Sequence, residues 1–301
     1  MTPHAIHDET HPAPIDPSGV DWARVRESEY LVHQRFQYEY PAQILDLQHQ
    51  LMVIPPTVFG DQRRTVYSLR VSEAGEVTTT QDLLANTVID VRIPSVERGI
   101  EFEAWVSLRR AGPPQPREVP VEWLTDARFL QPTDRTAPDA AIEEAAAILA
   151  AEGLVGLELA ERINTWVHQT MKYVPDVTGI RTTAAHAFAA GHGVCQDYSH
   201  LMIAICRLLG LPALYVSGHL LGEGGTHSWV EVILPSPGDE DAAHAWALDP
   251  THGRRVDLTY LTVAVGREYG DVAPTSGSYR AGHGGTLTGF KEVRLVGIEY
   301  D

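Results

Sequence analysis

From Tyr30 to Arg109, apolar and polar positions alternate in short runs: YLVHQRFQYEY, AQILDLQHQLMVI, RTVYSLRVS, EVTTTQD, NTVIDVRI and IEFEAWVSLRR. Gly60, Gly75, Asn86 and Gly99 lie between or beside them. Runs rich in Val, Ile, Thr and Tyr, recurring about every ten residues with turn residues between, predict an antiparallel β-sandwich. We place this N-terminal domain at 27–110, after a flexible tail at 1–26 that is rich in Pro, Asp and His and lacks periodicity.

The stretch AGPPQPREVP, residues 111–120, holds four prolines and reads as an extended linker. Beyond it, in a second domain at 121–301, the period changes. Helices are predicted over 137–151 and 157–172, the second with Leu159, Ile163, Trp166, Val167 and Thr170 on one stripe. A third starts at Cys195, where Tyr198, Leu201, Met202, Ile205, Leu208 and Leu209 form a stripe that Gly210 and Pro212 end. Strands are predicted at 213–220, 227–234 and 243–250, with PSPGDEDAA as a loop between the last two. Helices followed by antiparallel strands give an α+β class.

Composition adds limits. The 301 residues are 44% hydrophobic, 8% aromatic and 21% charged, enough for two domains of modest size. Forty acidic against 23 basic residues, net −17, argue against nucleic acid as a partner, because phosphate binding needs clustered Lys and Arg. The N-terminus lacks the basic start and apolar core of a secretory signal and no stretch reaches membrane-spanning length, so we expect a cytoplasmic protein with no membrane partner.

The two cysteines, Cys195 and Cys206, raise the question of chemistry. On one helix their separation of eleven residues, at about 1.5 Å each, is roughly 16 Å. A disulfide needs Cα atoms within about 7 Å. Zinc spacing is not matched either, and His186, His192, His200, His219, His244 and His252 form no HExxH or paired CxxC pattern, so neither a metal nor an organic cofactor is expected. Cys206, on the apolar side of its helix, reads as a core thiol, while Cys195 follows a Gly-rich turn at a helix start.

Ionising an ordinary thiol of pKa near 8.5 fully at neutral pH requires roughly 2 to 3 kcal/mol. A helix N-terminus supplies about 0.3 to 1 kcal/mol, so a partner imidazolium is needed. On the strand HSWVEVIL, alternation puts His227, Trp229 and Glu231 on one face and Val230, Val232 and Leu234 on the other, toward the core. Asp249 ends the next strand, and in a hairpin it reaches His227 and fixes its tautomer. Asp197 in the first helical turn favours the dipole and reads as structural, Trp229 and Trp246 as packing residues.

The segments GHGVCQDYSHLMIAICRLLGLPALYVSGHL, THSWVEVILP and WALDPTHG resemble the transglutaminase-like superfamily. NTVIDVRI with the strand after it, FLQPTDRT and VGREYGDVAPTSGSY also resemble bacterial members with a β-rich N-terminal domain. The resemblance implies a papain-like α+β core with catalytic Cys195, His227 and Asp249 as nucleophile, general base then acid, and orienter. It implies acyl transfer from a peptide amide or isopeptide bond through a thioester, to water or to an amine. Hydrolysis of a peptide or protein substrate is our expectation, amine transfer or a non-catalytic scaffold the alternatives. His219 stands where relatives carry tyrosine. The oligomeric state is not legible in these residues.

Overall fold

A computed structural model describes residues 13–301. Eight strands come first: β1 (Val25–Glu39), β2 (Ile44–Leu51), β3 (Val58–Phe59), β4 (Gln62–Val71), β5 (Glu76–Gln81), β6 (Thr87–Val96), β7 (Gly99–Ala111) and β8 (Arg117–Val119). A mixed segment follows, with α1 (Ala127–Leu130), α2 (Ala140–Ala150), α3 (Gly156–Thr170), β9 (Lys172–Tyr173), α4 (Ala184–Ala190), β10 (His192–Gly193) and α5 (Cys195–Leu208). It continues as β11 (Ala213–Leu220), β12 (His227–Ser236), β13 (Asp239–Asp249), β14 (Arg254–Arg255) and β15 (Tyr260–Gly266), before β16 (Thr275–Arg280) and β17 (Thr286–Tyr300).

All six predicted N-terminal strands are present, and they form the expected sandwich. One sheet runs β17-β1-β7-β4-β3 and the other β16-β2-β6-β5. Their inner faces share one core, in which Tyr30, Val32 and Phe36 of β1 and Phe102, Ala104 and Val106 of β7 meet Ile44 and Leu47 of β2 and Ile89 and Val91 of β6. The period-two alternation is therefore the inside and outside of a sheet pair.

The boundaries differ from the expected ones at three places. Residues 275–300 do not belong with the helical part: β16 pairs with β2 and β17 with β1, and Leu295 enters the sandwich core. β17 covers the outer edge of the fifteen-residue β1 and is itself the outermost strand of that sheet. The proline-rich 111–120 stretch is only partly a linker, because Arg117–Val119 pairs with Ala243–Ala245. Of the tail at 1–26, residues 1–12 lie outside the described residues. Further on, Ile15 N–H donates to Leu295 O at 2.8 Å, and Ile15, Val20 and Trp22 pack on the sandwich, so this part is ordered rather than flexible.

The predicted helices and strands of the second part are all observed, in an α+β arrangement. The sheet β14-β13-β12-β11-β15 carries α5 on one face: Leu201, Met202 and Ile205 share a core with Val230, Val232 and Leu234. The valine face of β12 is thus the helix-covered face, as its alternation predicts. The opposite face is buried as well, with Trp229 in a second core with Tyr260 and Phe129. The expected PSPGDEDAA loop is instead a hairpin continuation, β12 and β13 closing at Pro237 and Gly238, whose φ of 82° suits glycine.

The sandwich grips the free edge of β15. Gln62 Nε2 donates to Thr262 O at 2.8 Å and Gln62 Oε1 accepts from Thr262 N at 2.9 Å. Asn86 does the same for Val265, at 2.7 and 2.8 Å. Two side-chain amides thus stand in for a neighbouring strand. Arg110 adds a bidentate pair with Asp61, both at 2.7 Å, and donates to the carbonyls of Asp257 and Tyr260 at 2.6 Å.

Candidate active site

α5 begins at Cys195 because the chain before it supplies the cap. Val194 N–H donates to Asp197 Oδ2 at 2.8 Å, and Thr178 Oγ1 donates to the same oxygen at 2.6 Å. Gly193 is needed here, since a Cβ would stand 2.6 Å from Asp197 Oδ2 and 2.7 Å from its Cβ. Asp197 is fully buried, and burial pushes its carboxyl up. Its role is the cap, as its position in the sequence suggests. Cys195 is half-buried in the first turn, where backbone N–H groups have no intrahelical acceptor. Its Sγ lies 4.0 Å from Thr226 O. Both cysteines are free, and burial pushes the Cys206 thiol up to about 12, in keeping with an inert core thiol.

His227 opens β12 next to Thr226 and faces Cys195. Its Nε2 lies 2.8 Å from Asp249 Oδ2, both side chains being buried. Strand pairing brings them together, since Val230 is opposite Leu248, one residue before Asp249. Burial works against a charged imidazole, but the Asp249 hydrogen bond and Cys195 outweigh it and hold His227 well above its ordinary value. Asp249 is also buried, and hydrogen bonds from His227, His252 and Tyr260 overcome that cost and hold it below the usual carboxylate range. His252 Nδ1 and Tyr260 Oη reach Oδ2 at 2.7 Å each, while the N–H groups of Thr251 and His252 donate to Oδ1 at 2.8 and 3.2 Å. The three residues singled out from the sequence therefore converge.

Other residues complete the surroundings, and two of them, Glu223 and Lys291, were not singled out from the sequence. His252 follows Asp249 by three residues in DPTHG, and that spacing was the available signal. Glu223, on the Gly-rich turn before His227, puts Oε2 3.4 Å from His227 Nδ1 and Oε1 3.6 Å from His252 Nε2. Lys291 of β17 donates from Nζ to Thr226 Oγ1. Nothing local could announce it, because Lys291 lies 65 residues beyond Thr226. His219 Nδ1 is 3.2 Å from Gly225 O and burial drops it to about 4, so it stays neutral; its Nε2 has no partner among the described residues. Trp229 is a packing residue, its ring edge-on to Tyr260 at 5.4 Å. Tyr173 is exposed at the rim, in electrostatic range of Cys195.

His227, Asp249 and His252 each offer a donor atom, all within 4.8 Å of one another, and are the one such grouping among the described residues. The hydrogen bonds just given already occupy Asp249 Oδ2 from both histidines. His200 belongs to no such group, its Nε2 accepting from Tyr269 N at 3.1 Å.

A family model for the transglutaminase-like superfamily matches residues 145–248, which include Cys195 and His227. An uncharacterized protein of Mycobacterium bovis is 32% identical, with 76% of this chain and 75% of that protein covered. The chain belongs to the transglutaminase-like superfamily. Another uncharacterized protein, of Mycobacterium leprae, is 34% identical across 40% of this chain, and the chain spans 44% of that relative's length. The crystal structure of a candidate cysteine protease from Cytophaga hutchinsonii superposes with a TM-score of 0.72 at 18% identity, covering 92% of this chain and 94% of that one. That likeness extends over sandwich and superfamily core together, so both parts belong to one recurring architecture. No helix among the described residues is long and apolar enough to cross a membrane.

Proposed function

We propose that the protein is a cysteine-dependent acyl-transfer enzyme that hydrolyses peptide amide or isopeptide bonds through a thioester. The observation that carries this reading is His227, held by Asp249 at 2.8 Å on one side and facing Cys195 on the other. In this reading Cys195, as thiolate, attacks the carbonyl carbon. Backbone N–H groups at the start of α5 receive the oxyanion. Imidazolium His227 gives its proton to the departing nitrogen as the C–N bond breaks, leaving an acyl-thioester. Water then gives a proton to His227 and its oxygen to the acyl carbon, and the thiolate leaves. Asp249 remains ionised throughout and holds the ring.

Amine transfer is the second reading, and Glu223 is the observation in its favour: a carboxylate 3.4 Å from His227 Nδ1 would draw a cationic amine toward the thioester. The test is the rate of iodoacetamide alkylation of Cys195 between pH 4 and 9, in the native protein and in His227→Ala, with mass spectrometry separating it from Cys206. Reaction persisting well below pH 7 and lost in the variant supports the thiolate-imidazolium pair. An ordinary thiol curve in both proteins would give the lead to a non-catalytic scaffold. Glutamine peptides with and without added cadaverine then distinguish ammonia release by water from amine incorporation.

A further inference from the structure

We propose that Lys291 forms a carboxylate-binding subsite beside Cys195, so that the acyl donor carries a carboxylate next to the bond under attack. The proposal rests on the reading of Cys195 as nucleophile. Lys291 lies on β17 opposite Gln34 of β1, and its ammonium stands 5.3 Å from the ring centre of Phe36. Its Nζ donates to the hydroxyl of Thr226, whose carbonyl is 4.0 Å from Cys195 Sγ. One residue therefore touches the ammonium with its side chain and the thiol with its backbone. Lys291 also lies in electrostatic range of Cys195 and His219.

No ion pair of Lys291 with a carboxylate occurs among the described residues, and Glu223, the acid on the adjoining turn, is directed at His227 and His252. Burial alone disfavours the ammonium. A half-buried cation whose one hydrogen bond among the described residues is to a neutral hydroxyl attracts a further anion. His219, being neutral, supplies no competing charge. In a chain of net charge −17, a cation at the thiol with no carboxylate partner among the described residues marks a local preference that opposes the overall field.

The test compares iodoacetate with iodoacetamide on Cys195 in the native protein, Lys291→Met and Lys291→Arg. The ratio of the two rates cancels the thiolate fraction and reads the local cation, while the pH profile of either rate reads the His227 pair, so the two ideas fail separately. The iodoacetate to iodoacetamide ratio is expected to fall about tenfold in Lys291→Met, from loss of one nearby charge, and to be largely kept in Lys291→Arg. An unchanged ratio, or equal loss of both rates, overturns the subsite. In the native protein, needing no variant, sodium acetate should slow iodoacetamide more than sodium chloride at equal ionic strength; equal slowing counts against the proposal. Peptides with free or amidated C-termini, and with Glu or Gln beside the scissile bond, then show whether the carboxylate is terminal or a side chain. Cleavage indifferent to both pairs overturns the preference.

Discussion

His252 Nδ1 lies 2.7 Å from Asp249 Oδ2, on the same oxygen that holds His227 Nε2 at 2.8 Å. One carboxylate oxygen thus serves two imidazoles and the Tyr260 hydroxyl, and the groups differ in what their loss removes. Asp249→Asn breaks the hold on His227 itself, and a fall of at least about tenfold in iodoacetamide reactivity at pH 6 is expected, each lost unit of imidazole basicity being tenfold. His252→Ala leaves His227, Tyr260 and two backbone donors in place, so its effect should stay within about threefold, the loss of one among several hydrogen bonds. Stopped alkylation with mass spectrometry measures both.

The same pair sets a pH window for stability. His227 is raised above its ordinary 6.5 in the folded protein, so its contribution is complete below pH 6.5 and fades as pH rises. Asp249 is lowered below 3.8, so its contribution is present above pH 3.8 and fades in acid. The stability difference between the native protein and His227→Gln should therefore be largest between pH 3.8 and 6.5 and shrink at alkaline pH. Thermal melts of both proteins at matched ionic strength check this; a difference that grows above pH 8 would contradict the ion pair.

Gly218, paired with His227 across β11 and β12, has no room for a side chain. A Cβ there would stand 2.2 Å from Leu261 O and 2.5 Å from the Trp229 ring. Gly218→Ala should cost about 1 to 3 kcal/mol from overpacking. Because Trp229 shares a face with His227, its fluorescence should change and Cys195 alkylation should slow together. Urea unfolding gives the first quantity directly.

Gln62 and Asn86 occupy the free edge of β15, and replacing either leaves a buried N–H and C=O without partners. Gln62→Ala or Asn86→Ala should each cost about 1 to 3 kcal/mol. Hydrogen exchange gives the local signature: the amide of Thr262 should lose protection in the first variant and that of Val265 in the second, while the α5 amides keep theirs. If neither amide changes, these side chains do not cover the edge.

Much of this was legible locally. Cys195, His227 and Asp249 stand out because each sits where a helix or strand begins or ends, in motifs short enough to read. The sandwich strands declare themselves through alternation, since a sheet with one buried face needs it. The pairing of β17 with β1 was not legible, because partners more than 200 residues apart leave no local spacing, and it crosses the boundary drawn at 121. Lys291 was lost with it. The PSPGDEDAA loop misled through composition: Pro237 and Gly238 do make a turn, but the acidic residues after them continue the strand. Glu223 stands beside glycines with no motif to mark it, and only the fold shows which side chains its carboxylate meets.

The return of β17 to β1 also orders events during synthesis. The ribosome releases β1 before its outer neighbour, with the Cys195, His227 and Asp249 segments emerging in between. Until residues 286–300 are free, a nascent chain exposes the whole outer edge of β1 and lacks Lys291 beside Thr226. Completion of the sandwich and of the cleft therefore both wait for residues 286–300, so a nascent chain short of them would hold the motifs of the site without its finished surroundings.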